Sequence, residues 1–521
     1  MKITLKILGL GCLLGFSAPV LAQNEAPVVT VSQGKLIGEY SARNDRVAVF
    51  KGIPFAAPPV GQARWAPPQP APGWTGERMA TDFGPDCMQQ PYPEGSFFYR
   101  PARLSSEDCL YLNVWSTGND NPQGKPVMVW FHGGALTRGS GAIDTYDGTE
   151  LALKDVVLVT VNYRLGVFGY FAHPELVAES PNFSAGNYGI LDQIQSLRWV
   201  QENIRAFGGD PSNVTIFGES AGAWSVHFLT ASPLAQGLFH KAIAQSGARM
   251  DTRVELDRQS SAGQSASAAG AQLAERLGAA DLAALRAMPA RQLLDGAAEH
   301  SFRTDGIVDG WVLPAQPFTL FSEGRQNPVP ILVGFNSEEG TTLGAGSSLP
   351  GTPEAYEQRV RGIYGDFADM VLEIYPSSDI RKSSLDSFRD ATFGWHMVTW
   401  ANLTRHVNQP AYLYFFTHRP PGPMAQELGA YHAAEIPYAF NTVHTLRNQP
   451  SAIDYRLGDI MSDYWVNFAR HGVPSAPGQP EWKPYSNAER NYLLFGSQVS
   501  AEVNLLPDNW AVFDRIMDRR R

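Results

Sequence analysis

Three stretches of the 521-residue chain carry groups that could act together on a carbonyl carbon. The first is Gly218-Glu219-Ser220-Ala221-Gly222. A serine hydroxyl is a poor nucleophile unless its oxygen is exposed and a base takes its proton. Residues 214–217 (VTIF) read as a short strand just before this pattern, and a helical run follows it. A strand turning sharply into a helix would lift Ser220 clear of its surroundings. Glycine on both sides would let neighbouring backbone approach without a Cβ clash. The helix would also aim backbone N–H groups at charge developing beside Ser220.

The second stretch is His132-Gly133-Gly134-Ala135, directly after a strand candidate at residues 126–131 (PVMVWF). Attack on a carbonyl creates an oxyanion, and its donors must already be in place. Losing one typically costs ~10²–10³ in rate. The N–H groups of Gly134, Ala135 and Ala221 are candidates for such a three-donor hole.

The third supplies a base and an acid. On a serine turn of this kind the acid and then the histidine follow along the chain. Of the histidines after Ser220, His227 and His240 lie too near the following helix to face its tip. His432 stands out in Gly429-Ala-Tyr-His-Ala-Ala-Glu435-Ile-Pro-Tyr438, a loop after the strand candidate 411–416. The acid should follow a strand between the two, and residues 330–335 end in Asn336-Ser337-Glu338-Glu339-Gly340. A carboxylate there would hold the imidazole tautomer and stabilise the imidazolium. Position alone leaves Glu338 and Glu339 equivalent. An unperturbed histidine base would lose activity as pH falls through ~6.5.

Positioning these groups requires short apolar strands alternating with helices, the pattern of a mostly parallel sheet covered by helices. Residues 156–161 (VVLVTV) are a further strand. Leu191, Ile194, Leu197, Val200 and Ile204 form one helical face, stopped by Gly208-Gly209. Residues 459–469 form an amphipathic helix, and the alanine-rich stretch 261–298 reads as helical and outside the sheet. No polar linker divides the chain, which suggests one large domain over residues 23–521.

With 44% apolar residues there is ample material for a core. Lys plus Arg number 41 against 51 Asp plus Glu, and that acidic balance argues against a nucleic-acid partner. Residues 1–22 read as a secretory signal: Lys2 and Lys6 precede an apolar run too short to span a bilayer, and Val20-Leu21-Ala22 offers a cleavage site. No later apolar run is long enough to span, so the expected product is secreted or periplasmic. Cys87 and Cys109 then remain as an even pair in an oxidising compartment, where a disulfide is the default. Their loop holds Tyr92, Phe97, Phe98 and Tyr99, rings that either pack it down or line a pocket mouth. Two cysteines without clustered histidines do not suggest a zinc site.

Longer patterns add a resemblance. The sixteen positions from Phe207 to Gly222 fit the serine signature of the type-B carboxylesterases, the group that includes cholinesterases. Glu107-Asp-Cys109-Leu-Tyr-Leu-Asn-Val114 is similar to the family's second signature, with Thr117 where Pro, Gln or Arg is usual. Phe50-Lys-Gly-Ile-Pro-Phe-Ala-Ala-Pro-Pro-Val-Gly61 and Asp463-Tyr-Trp-Val-Asn-Phe-Ala469 resemble its first segment and last helix.

The resemblance implies an α/β-hydrolase fold: a mostly parallel central sheet covered by helices, with helical and loop excursions around an active-site gorge. It implies Ser220 as nucleophile, Glu339 as acid, His432 as base, Gly134, Ala135 and Ala221 as oxyanion donors, and a Cys87–Cys109 disulfide. The substrate would be a small ester, with no metal or organic cofactor. Ala135 replaces a common glycine but keeps its N–H. Trp224, four residues past the nucleophile, either shapes the pocket or packs in the core, and Tyr431 is a second pocket candidate. Two rivals share the fold: a non-catalytic binding or adhesion protein, and an amidase or acyltransferase using the same triad.

Overall fold

A computed structural model describes residues 25–118, 121–251, 254–259, 263–345 and 349–520. The expected signal segment lies outside the described residues. The main sheet has eleven strands, in chain order β1 (Glu39–Ser41), β2 (Asn44–Pro54), β3 (Tyr111–Ser116), β4 (Lys125–Phe131), β5 (Val157–Val161) and β6 (Gly209–Glu219). They continue as β7 (Lys241–Gln245), β8 (Ile331–Asn336), β9 (Ala411–Phe416), β10 (Tyr492–Phe495) and β11 (Val499–Glu502). Their spatial order is β11-β10-β9-β8-β7-β6-β4-β5-β3-β2-β1.

The neighbours from β5 to β10 pair in parallel, and the pairings outside them are antiparallel. The continuous apolar runs of β4 and β5 follow from this, because a parallel sheet is buried on both faces. Val127, Val129 and Phe131 point into one core, shared with Ile194 and Leu197 of α1 (Tyr188–Asn203) and Val226 of α2 (Ala221–Ala231). Met128 and Trp130 point into the other, against Leu457, Met461 and Trp465 of α3 (Ala452–His471).

Strand order decides where chemistry can happen. After β5 the chain crosses back to place β6 beside β4, with Gly218 opposite Phe131. At such a switch point the loops leaving neighbouring strands diverge and open a crevice at their carboxyl ends. The loops after β4, β6, β8 and β9 all leave from that edge.

Three elements differ from the sequence expectation. The alanine-rich stretch divides into helices Ala266–Arg276, Leu282–Ala287 and Ala290–Glu299, separated by Gly278 at φ 71° and by Pro289. The amphipathic helix expected from residue 459 starts seven residues earlier, where Ser451 and Asp454 cap each other's backbone N–H groups. The strand before Ser220 is longer than VTIF and reaches Gly209 through an irregularity in its pairing with β4.

Candidate active site

Ser220 stands between β6 and α2 with φ 56° and ψ −122°, a conformation side-chain-bearing residues rarely adopt. Its N–H bonds to the Gln245 carbonyl at 2.9 Å, and its own carbonyl accepts from Trp224 N–H at 2.9 Å. The flanking glycines are obligatory. A Cβ on Gly222 would lie 1.9 Å from the Phe131 carbonyl oxygen, and one on Gly218 would lie 2.5 Å from the Gly222 carbonyl carbon. The β6–α2 turn is therefore pressed against the end of β4, where the glycine loop starts.

That loop is held from beneath. The buried His132 ring stacks on Tyr163 at 4.5 Å, and the Tyr163 hydroxyl donates to the His132 carbonyl at 2.6 Å. Burial lowers the His132 pKa to about 4, so this ring stays neutral and structural. Gly134 (φ 110°) and Ala135 (φ 55°) run in the left-handed region, and the Gly134 carbonyl turns away to accept from the amides of Thr137 and Arg138. Ala221 is the first residue of α2, a position whose N–H has no carbonyl within the helix to bond.

The histidine loop and the acid loop meet beside the serine turn. His432 Nδ1 lies 2.6 Å from Glu339 Oε2, and both side chains are buried. The second Glu339 oxygen accepts from the Asn336 N–H at 2.8 Å. Phe393 stacks on the other side of the imidazole at 4.9 Å. Glu338 performs a different task. Its carboxylate accepts from the Ser337 hydroxyl and from Ala430 N–H (2.9 Å), while Glu338 N–H donates to the Ala430 carbonyl at 3.1 Å. Glu338 thus ties the histidine loop to the end of β8, and Glu339 alone reaches the imidazole.

Ser220 and His432 open onto one cavity of about 930 Å³, whose lining includes Gly133, Gly134 and Ala135. A serine on the same cavity wall as a buried His-Glu pair can perform nucleophilic acyl transfer.

A family model described as the carboxylesterase family matches residues 25–512. The chain belongs to the carboxylesterase family. It is 38% identical to the fumonisin B1 esterase of Sphingopyxis macrogoltabida, over 95% of this chain and 91% of that protein. It is 34% identical to the liver carboxylesterase of Sus scrofa, over 95% and 93% respectively. A solved structure of a pNB esterase superposes with a TM-score of 0.81 at 33% identity, covering 93% of this chain and 99% of that one. The fold is that of the α/β-hydrolases, and the protein is a carboxylic ester hydrolase.

In this carboxylesterase the imidazole has a second acidic neighbour that the sequence analysis did not identify. Glu219 Oε1 lies 3.2 Å from His432 Nε2, in a side chain that is itself buried. A third carboxylate, Glu435, accepts from Gln245 Nε2 (3.1 Å) and Asn336 Nδ2 (2.5 Å). Trp465 of α3 in turn donates to Gln245 at 3.0 Å, so the network reaches the back of the sheet. Both acids stood in the quoted motifs, at Ser220 − 1 and His432 + 3. Nothing in their spacing showed that strand ends would converge on one ring.

Burial disfavours protonation of His432 and is the largest single influence on it. The Glu219, Glu339 and Glu435 carboxylates together outweigh it and raise the pKa to about 9. Burial first, and the neighbouring acids after it, push Glu219 up as well, relieved in part by the imidazolium. A proton on Glu219 removes charge that lifts His432, so these groups titrate as one unit. The upward direction for the imidazole stands, because Glu339 contacts it directly.

The aromatic candidates separate. Tyr431 lines the cavity and meets Phe97 edge-on at 4.7 Å, and Tyr92, Phe97, Phe98 and Tyr99 line it too. The Cys87–Cys109 disulfide closes the loop that bears those four rings. Trp224 does not line this cavity. One helical turn beyond Ser220, its indole lies partly exposed under the Arg249 guanidinium at 4.1 Å, which pairs with Asp305 at 3.1 Å. Among the described residues no helix is long and apolar enough to cross a membrane.

Proposed function

We propose that Ser220 is the nucleophile of this carboxylesterase, His432 its general base and Glu339 the acid that orients the base. His432 takes the hydroxyl proton as Ser220 attacks the ester carbonyl. Glu339 fixes the proton on Nδ1, so that Nε2 is the nitrogen left to accept the serine proton. The amides of Gly134, Ala135 and Ala221 receive the oxyanion. His432 then protonates the departing alcohol, and water repeats the cycle on the acyl-enzyme. The observation that carries the reading is the 2.6 Å His432–Glu339 contact on the wall that also presents Ser220.

Ser220→Ala should abolish turnover of a neutral chromogenic ester while circular dichroism stays native, and a phosphonate probe should label Ser220 in the parent protein. Substantial turnover by the purified variant would sink the assignment. Assaying the matched amide in parallel distinguishes an esterase from an amidase on the same triad.

We also propose export. The Cys87–Cys109 disulfide suits an oxidising compartment, as expected if residues 1–22 are a signal that leaves residues 23–521 as the mature domain. The N-terminus of the exported protein should then be Gln23, and an intact Met1 on it would refute this.

A further inference from the structure

The wall of the catalytic cavity carries a row of rings. Tyr92 meets Phe98 at 6.0 Å, Phe98 meets Phe97 at 5.3 Å, and Phe97 meets Tyr431, the residue before His432. The row runs from the glycine-loop side of the site to its histidine side, and two guanidiniums lie over its rings. Arg138, whose N–H closes the turn on Gly134, lies 4.7 Å over Tyr92. Arg447 lies 5.0 Å over Phe97 and donates to the Phe97 carbonyl at 2.5 Å. Arg100 also lines the cavity.

Among the described residues none of these three arginines has a carboxylate within ion-pair reach. The contacts of Arg138 and Arg447 are rings and backbone carbonyls. Stacking fixes the plane of a guanidinium while leaving N–H donors unused, and that fork matches a carboxylate. The acids on this cavity lie elsewhere: Glu219 is deep beside His432, Asp144 and Asp147 flank Tyr146, and Arg43 is already paired with Glu150 at 3.2 Å. In a chain of net charge −10, oriented and unpaired cations at the mouth are a local reversal of sign.

We propose that this site is built for esters that carry a free carboxylate besides the scissile bond, received at the mouth by Arg138 and Arg447. The inference rests on the serine-esterase reading above. Glu219 fills the buried bottom of the cavity beside His432, whereas the unpaired guanidiniums lie along the aromatic row, so the free carboxylate projects outward along that row. Its recognition is a charge-assisted hydrogen bond at a partly exposed site, which should favour the anionic ester by roughly tenfold and weaken as salt rises.

The test measures kcat/KM of the full-length enzyme on two matched pairs. One varies the acyl half, the 4-nitrophenyl half-ester of glutaric acid against 4-nitrophenyl pentanoate. The other varies the alcohol half, 4-acetoxybenzoate against its methyl ester. The expected result is an anionic-to-neutral ratio near ten in at least one pair, and which pair shows it tells which half points to the mouth. The ratio should fall several-fold in Arg447→Gln and in Arg138→Gln, fall less in Arg447→Lys, which keeps the charge but loses the planar fork, and decline at 0.5 M NaCl. Because Arg447 is exposed, its variant keeps the test valid if Arg138→Gln does not fold. Ratios at or below one in both pairs, with neutral esters turned over, overturn this proposal and leave the esterase reading intact. No Ser220-dependent turnover of any of the four esters overturns both.

Discussion

Glu219 and His432 meet at 3.2 Å through the ring nitrogen opposite the one that Glu339 holds. One imidazole therefore lies between two buried carboxylates, with a third, Glu435, close behind. Such a ring is poised to become an imidazolium. In the proposed mechanism that lowers the barrier to taking a proton from Ser220, and it raises the pH at which the ring becomes neutral.

The sign of the pH dependence follows. In the proposed mechanism the working base is the neutral ring, so activity is present above the folded-state pKa and is lost as pH falls through it. With that pKa raised from 6.5 to about 9, kcat/KM should still climb between pH 7 and pH 9. Glu219→Gln removes the largest of the raising influences and should move this limb toward lower pH. A one-unit shift corresponds to ~1.4 kcal/mol less stabilisation of the imidazolium and about tenfold lower plateau kcat. A pH–rate profile of both proteins checks this, and a limb that stays put in the variant would exclude Glu219 as a charge acting on His432.

Adjacent glutamates with separate tasks predict separate phenotypes. Glu339→Gln keeps the shape but no longer holds the imidazole tautomer or offsets its charge, so kcat should fall on the order of 10³–10⁴-fold with little change in thermal stability. Glu338→Gln leaves the imidazole contact intact and loosens the tie between Glu338 and Ala430. It should lower the melting temperature while retaining most of kcat. Steady-state kinetics beside thermal denaturation decide the pair, and equal kcat losses would contradict the division of labour.

Much of this arrangement was legible beforehand, for a physical reason. A strained strand-to-helix turn leaves its glycines in sequence, and the clashes a Cβ would meet at Gly218 and Gly222 show why no other residue serves there. The parallel strands were legible because burial on both faces forces unbroken apolar runs in β4 and β5. The choice between Glu338 and Glu339 was not legible from the residues, since the two differ only in how the chain turns after β8. Glu219, Glu435 and Gln245 were missed for a related reason. They act across the carboxyl ends of β6, β7 and β8 and the loop after β9, strands far apart in sequence that pair side by side, and pairing order leaves no local spacing to read. Trp224 shows the converse: proximity in sequence to the nucleophile did not place its ring on the cavity.

The contact between α2 and β4 makes Gly222 a packing test. A methyl group there would sit 1.9 Å from the Phe131 carbonyl, a separation no side-chain adjustment relieves because the obstacle is backbone. Gly222→Ala should yield little soluble protein, and whatever folds should show a displaced Ser220 and a collapse in kcat. Gly237, with open space around its missing Cβ but φ 77°, is the control: Gly237→Ala should cost about 1 kcal/mol and leave kcat intact. Equal behaviour of the two variants in expression and kinetics would refute the steric argument.

The Cys87–Cys109 bridge closes the loop bearing Tyr92 through Tyr99 but holds none of Ser220, Glu339 or His432. Its removal should therefore act on stability and on the cavity wall before it acts on chemistry. With 22 residues of separation, the chain-entropy model assigns the bridge roughly 3 kcal/mol. A Cys87→Ser/Cys109→Ser variant should lose about that much in denaturant unfolding. With its base left to the short pairing of Asp86 and Cys87 with Ser105 and Ser106, the loop can withdraw Phe97 from Tyr431 and Tyr92 from Arg138, contacts made by rings rather than by backbone pairing. KM for long or aromatic esters should then rise several-fold, while KM for acetate esters, too short to reach the row, should change little. The kcat for acetate esters should remain within about threefold, since the His432–Glu339 contact is set by the ends of β8 and β9. A variant whose kcat falls equally on every ester, with KM unmoved, would mean that the loop positions the triad itself.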